Sequence, residues 1–177
     1  GVTVTSANYE DIVRRDDVHA VIIATPNFLH APIALAAIAH GKHVLCEKPI
    51  AMNHAEAVSM AAAADRAGVR HMTAFTYRFV PAMRYLRDLV RRGDFGQPYH
   101  FRSCRLQDWG ARPLGWRQVK KLAGSGEIGD MLSHRIDFAH SLVGLMKRLV
   151  ASVKTLTPVR GGSPNDTDDW VAILAEF

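Results

Sequence analysis

"VHAVIIATPNFLHAPIALAAIAHGKHVLCEKP", residues 18–49, holds two apolar runs separated by a stretch of good helix formers, and this alternation decides the fold. The first run, residues 18–25, is continuous and β-branched, the pattern of a strand buried on both faces of a parallel sheet. "APIALAAIAHG" follows as a helix, with Pro32 near its start and Gly41 as its stop. "KHVLC" is the next strand. "NHAEAVSMAAAADRAG" is the next helix, with Asn53 as N-cap and Gly68 as stop, and "VRHMTAFT" the strand after it. Strand and helix alternate at βαβ spacing, so right-handed crossovers and a doubly wound parallel sheet, α/β in class, are expected over residues 1–78.

Beyond Arg78 the rhythm changes. Residues 81–92 read as an amphipathic helix, "GQPYHFRSCRL" as a strand, residues 110–126 as loop, and residues 127–143 as a helix. Two strand-like runs, "LVASVKTLTP" and "DWVAILAEF", are separated by the turn-forming "RGGSPNDTDD". Residues 79–177 therefore read as the start of an α+β domain with a mostly antiparallel sheet.

Composition narrows the function. With 48% hydrophobic residues over 177 positions the chain has ample material for a core, which excludes a disordered segment. The net charge of +5 is scattered, and its densest group, Arg84, Arg87, Arg91 and Arg92, falls at helical spacing as a solvated face. No nucleic-acid partner is expected. Cys46 and Cys104 are too few for a disulfide framework and fit a reduced, cytoplasmic setting. No apolar run approaches the roughly 20 residues that cross a bilayer, so no membrane partner is expected. The chain starts at Gly1 without a methionine, and its first strong strand begins only near residue 18, so a fragment is expected. The missing leader then says little about localisation.

Three polar groups stand out. Lys48 follows a buried strand directly, and the C-terminal end of a parallel strand opens on the crevice where such sheets bind ligands. Pro49 biases Lys48 toward extended geometry, or toward a cis bond, which fixes where its amine points. Thr25, Pro26, Asn27 and His30 lie at the end of the preceding strand, either as an ordinary capped turn or as the neighbouring wall of that crevice. In "GDMLSHRIDFAH", Asp130, His134 and Asp137 recur on one helical face while Ile128, Leu132, Ile136, Ala139 and Val143 line another. That face is open to three readings: a solvated surface, a metal site with His140, or a catalytic face on which a carboxylate orients a histidine. "GSGEIG", residues 124–129, matches G-x-G-x-x-G but lacks a buried strand before it, so its glycines read as a flexible entry into the helix.

In this order and spacing the pieces resemble the Gfo/Idh/MocA family of NAD(P)-dependent oxidoreductases, which includes inositol dehydrogenases and glucose-fructose oxidoreductase. "ATPNFLHAPIALAAIAHGKHVLCEKPIAMN" is similar to the family's cofactor-domain core, "YRFVPAMRYLRDLVRRGDFGQPYHFR" to its crossover into the second domain, and "GWR" with "GSGEIGDMLSHRID" to its catalytic helix and approach. The resemblance implies that residues 1–78 are the C-terminal part of a dinucleotide-binding Rossmann domain and residues 79–177 the N-terminal part of a substrate and oligomerisation domain. It implies NAD or NADP as cofactor, a sugar, cyclitol or related polyol as substrate, no metal, and a homo-oligomeric full-length protein. Lys48, Asp130 and His134 take the catalytic roles, with His134 removing the hydroxyl proton and Lys48 hydrogen-bonding the same oxygen. Thr25, Pro26, Asn27, His30, Glu47, Pro49, Trp116 and Arg117 border the cofactor, and Tyr77 and Arg78 join the catalytic residues around the substrate. Leu132 stands where many members have glycine. The family's first strand with its G-x-G-x-x-G turn does not precede Gly1, and its later strands do not follow Phe177, so weak or absent activity is expected of these residues alone. The alternatives are a glycosidase using NAD in a transient oxidation and a non-catalytic, shortened binding protein.

Overall fold

In the computed structural model, which describes residues 2–177, the two apolar runs that open the chain pair side by side. Asn8 first caps a short helix, α1 (Tyr9–Val13), its side chain accepting from the Glu10 amide at 3.0 Å. Strands β1 (Ala20–Ile23), β2 (His43–Cys46) and β3 (His71–Thr73) then alternate with helices α2 (His30–Ala39) and α3 (His54–Ala67). The strands lie in the order β1-β2-β3, all parallel, with Ile23 opposite Cys46 and Cys46 opposite Thr73. This is the partial Rossmann-type sheet expected from the alternation.

The helix ends follow from local chemistry. Asn53 caps α3 by accepting from the Glu56 amide at 3.0 Å, and Glu56 returns the bond to the Met52 amide at 3.0 Å. Gly68 ends α3 at φ 63°, a left-handed conformation that a Cβ disfavours. Small residues let α2 pack closely: Ala34 and Ala37 are fully buried, against Ile23, Val44, Cys46, Met60 and Ala64.

One expectation needs correcting. The first strand is buried on one face only: Ile23 is 2% exposed, whereas its neighbour Ile22 is 74% exposed and Met72 is exposed on β3. Alternation along a strand sends these side chains to the face opposite Ile23, and none of the described helices covers it well.

The chain divides into two compact units, residues 1–74 with 121–124, and residues 75–120 with 125–177. In the second unit α4 (Pro81–Arg92) occupies the expected positions and ends at Gly93, φ 76°. A 3₁₀ turn (Trp116–Gln118) interrupts the expected loop, as does a short helix α5 (Lys120–Ala123), of which residues 121–123 belong to the first unit. The helix expected over 127–143 begins instead with a π-helical turn (Ile128–Leu132) and continues as α6 (Ser133–Leu142). Strands β4 (Arg148–Lys154), β5 (Val159–Arg160), β6 (Ser163–Pro164) and β7 (Trp170–Glu176) follow; β4 and β7 are antiparallel, from Arg148 opposite Glu176 to Lys154 opposite Trp170. The strand expected in "GQPYHFRSCRL" is not formed. Among the described residues no ladder partner meets it, and a strand without one leaves its backbone groups to water.

Cys46 reports on the core of the first unit. Burial pushes its thiol up to about 12, with the neighbouring Glu47 charge adding to the effect. The nucleophilic thiolate is therefore scarce near neutrality. We expect iodoacetamide at about pH 8, close to an ordinary thiol's titration range, to leave Cys46 unmodified in the folded protein and to alkylate it after unfolding, as read by peptide mass spectrometry. Rapid labelling of the folded form would contradict this burial.

Candidate active-site residues

In the first unit, the parallel register sets the turns after β1 and β2 side by side; the Glu47 amide donates to the Ile23 carbonyl at 2.8 Å. His30 ties them together. Its Nδ1 lies 2.8 Å from the Pro49 carbonyl oxygen and its Nε2 2.9 Å from that of Thr25, and the ring is fully buried. His30 therefore has no open edge with which to border a nicotinamide, and its contribution is to hold the two turns. Asn27 is likewise buried, its Nδ2 donating to the Ala123 carbonyl at 2.8 Å. Glu47, Lys48 and Pro49 are half-buried, and the Lys48–Pro49 bond is cis. Thr25 Oγ1 is buried without a hydrogen-bond partner among the described residues. An unpartnered hydroxyl at the carboxyl end of a parallel strand suits a polar ligand in the crevice.

In the second unit, His134 and Asp137 are buried, which removes the reading of their helix face as a solvated surface. The His134 ring sits edge-on to Tyr77, centroids 4.8 Å apart, and to Phe75 at 5.9 Å, while Tyr77 packs on Phe138 at 5.4 Å. Aromatic rings restrict the imidazole's orientation and exclude water around it. Arg78, expected at the substrate, instead commits its guanidinium to Asp137: Nε lies 2.9 Å from both carboxylate oxygens, and a second nitrogen closes the fork. Hydrogen bonding to Asp137 pushes the Arg78 pKa up further, burial opposes it, and the carboxylate charge adds to the rise. Asp130 is half-buried, with its Oδ2 3.4 Å from Arg117 Nε, a pairing not anticipated from the sequence. Trp116 stacks under the Arg117 guanidinium at 4.3 Å. No group of three His, Cys, Asp or Glu side chains among the described residues is placed to hold a metal ion.

The glycine pattern in residues 124–129 is filled from within the protein. The Gly126 amide donates to Asp168 Oδ1 at 2.7 Å, the Ile128 amide to Asp168 Oδ2 at 2.8 Å, and the Glu127 amide to the Asp168 carbonyl at 3.0 Å. A Cβ on Gly126 would run into that carbonyl. These are the amides that a phosphate would otherwise use, so the segment is a clamped helix entry, neither a nucleotide cradle nor the flexible lead-in expected. No local signal marks Asp168, since it lies 42 positions from Gly126 in a stretch that reads as a turn.

Two measurements follow from these contacts. Arg78→Ala leaves the buried Asp137 carboxylate without its fork and should cost about 2 kcal/mol in chemical unfolding, less than a fully buried pair because the arginine is half exposed. Burial pushes the Glu127 carboxyl up, and the charges of Asp130 and Asp168 add to this. A raised carboxyl favours folding while it is protonated, and that contribution fades as pH rises through the folded-state value. Glu127→Gln should therefore melt higher than the parent by about 2–4 °C near neutrality, with the gap closing on acidification; a gap independent of pH would refute this.

Comparison with known proteins places these residues among relatives. Residues 1–75 match the family model described as "Oxidoreductase family, NAD-binding Rossmann fold", and residues 83–177 match "GFO/IDH/MocA C-terminal domain". Levoglucosan dehydrogenase of Pseudarthrobacter phenanthrenivorans is 39% identical, over 98% of this chain and 50% of its own length. The 1,5-anhydro-D-fructose reductase of Ensifer adhaerens is 41% identical, over 77% of this chain and 40% of its own. The solved structure of levoglucosan dehydrogenase in complex with NADH and levoglucosan superposes with a TM-score of 0.94 at 40% identity, covering 97% of this chain and 48% of that one. The chain thus spans about half the length of the curated relatives it matches.

Proposed function

The chain belongs to the Gfo/Idh/MocA family, and on that premise we propose that its protein transfers a hydride between a carbinol carbon of a sugar, cyclitol or related polyol and a nicotinamide cofactor, NAD or NADP. The observation that carries this reading is His134, a buried imidazole held between Tyr77 and Phe75 one helical turn from Asp130. A proton acceptor fixed in orientation and shielded from water suits the single proton that leaves an alcohol as its carbon is oxidised.

The unpartnered Thr25 hydroxyl and the adjoining turns fit a nicotinamide at the ends of β1 and β2. Bound there, the nicotinamide supplies the hydride acceptor. Thr25, Pro26, Asn27, Glu47 and Pro49 are assigned to its surround, with His30 supporting Thr25 and Pro49 from beneath, and Trp116 and Arg117 are assigned to the cofactor from the second unit's sequence. His134 takes the hydroxyl proton while the Lys48 ammonium donates a hydrogen bond to the same oxygen, stabilising the charge that grows on it. Asp130 orients the substrate or His134, and Tyr77 borders the substrate. The alcohol thus loses one hydride and one proton and becomes a carbonyl. Residues 1–78 serve as part of the cofactor domain and 79–177 as part of the substrate and oligomerisation domain of a cytoplasmic homo-oligomer. Among sugars, the names of the relatives make levoglucosan the first to try.

In the full-length protein, levoglucosan with NAD or NADP should yield reduced cofactor, followed by absorbance. His134→Ala and Lys48→Ala should each lower kcat by about 10²–10⁴-fold. Undiminished turnover in either variant removes that residue from the mechanism. Sugar conversion without net cofactor reduction favours the transient-oxidation alternative.

A further inference from the structure

Residues 165–169, "NDTDD", look like a turn between two strands, yet their polar groups reach the two segments that carry Arg117 and Asp130. Asp166 Oδ1 accepts from the Lys120 amide at 2.6 Å, and Thr167 Oγ1, which donates to Asn165 Oδ1 at 3.0 Å, lies 3.4 Å from the Arg117 carbonyl. Asp168 holds the amides of Gly126, Glu127 and Ile128. Asn165 anchors the bracket from behind: its amide donates to the Pro158 carbonyl at 2.9 Å, its Nδ2 donates to the Thr157 carbonyl at 2.9 Å, and its side chain is buried. Asp169 completes the anchorage by accepting from the Leu156 and Thr157 amides at 2.6 and 2.9 Å.

We propose that Asp166, Thr167 and Asp168 form a positioning bracket that sets the spacing between Arg117 and Asp130, and through the π-helical turn the placement of His134. This rests on the proposed hydride transfer and adds residues to it that touch neither substrate nor cofactor. The argument is one of connectivity. The Asp130 amide donates to the Gly126 carbonyl at 3.0 Å, so Asp130 is one hydrogen bond from a residue that Asp168 clamps. On the other side, Asp166 holds the amide of Lys120, three residues beyond Arg117, whose side chain lies 3.4 Å from Asp130. A pair of side chains is thus spaced by two backbone anchors on a run of three residues. The acceptors are carboxylates, which make stronger and shorter bonds to amides than neutral groups do. The Gly126 contact leaves no room for a Cβ, which fixes how close the two strands of chain come.

The test uses the full-length enzyme with levoglucosan and NAD, comparing the parent with Asp168→Ala and Asp168→Asn. Asn keeps the shape and one acceptor oxygen, so it guards against a variant that simply unfolds. We expect Asp168→Ala to lower kcat by about 10–100-fold, the scale of a misplacement near 1 Å, with Asp168→Asn intermediate and the dissociation constant for NADH unchanged. Parent-like kcat in both variants overturns the proposal. So does an equal loss of kcat, NADH binding and melting temperature in both, since that is what a merely structural role produces. If the parent turns over no sugar, cyclitol or related polyol, the hydride-transfer reading fails by itself. The bracket is then judged by hydrogen exchange: amides 126–134 should exchange at least about tenfold faster in Asp168→Ala than in the parent, one factor of ten per 1.4 kcal/mol of lost local protection, while amides 54–67 stay as they are. Unchanged exchange over 126–134 overturns it.

Discussion

The parallel pairing of β1 with β2, Ile23 opposite Cys46, is the constraint on which the first unit's chemistry depends. Parallel strands end together, so their register brings the turn at Thr25 beside the turn at Lys48 without any contact between the two side chains being required. The pairing is secured by what lies beneath it. Ile23, Val44 and Cys46 bury against the alanine-rich face of α2, and His30 at the start of that helix reaches both turns from below. A polar side chain with no exposure is tolerated there because the ring N–H has a carbonyl to donate to, that of Pro49 or of Thr25 according to the tautomer.

The second unit solves a different problem, the placement of ionisable groups away from water. Asp137 has its guanidinium fork, Arg160 is buried against the Trp109 carbonyl and Asp169, and the amides that open the helix bearing Asp130 and His134 end on Asp168. Burial alone pushes the Asp169 carboxyl up, yet the Leu156 and Thr157 amides, the Thr157 hydroxyl and Arg160 together hold it below the usual range. Its contribution to stability is present above its unfolded value and is lost as pH falls through the folded one. Among the described residues no comparable donor meets Glu127, so burial and its acidic neighbours move it the opposite way. Two carboxylates of one unit are separated in proton affinity by the donors around each.

An anion-binding motif and an internal carboxylate compete for the same backbone amides. In residues 124–129 the carboxylate has won, and the glycines that resemble a phosphate cradle serve the close approach of another stretch of chain. Spacing of glycines alone is therefore ambiguous; the deciding quantity is which acceptor reaches the amides.

Local chemistry determined much of this protein directly from its sequence. The strand and helix alternation of the first unit, the Asn53 cap, the Gly68 stop and the bounds of α4 all follow from periodicity and capping, which act over a few residues. The same short range explains why Thr25 and Lys48 could be placed at strand ends. Contacts between distant residues were decided only by the tertiary structure. Among the described residues, the segment 96–106 has strand composition but meets no ladder partner, Ile22 has core composition but is exposed, and Arg78 is drawn to Asp137 rather than kept for a ligand. The role of Asp168 is the clearest case. Nothing near it in the chain marks it as a cap, because the amides it satisfies lie 42 and 40 residues away and are brought to it only when the second unit packs.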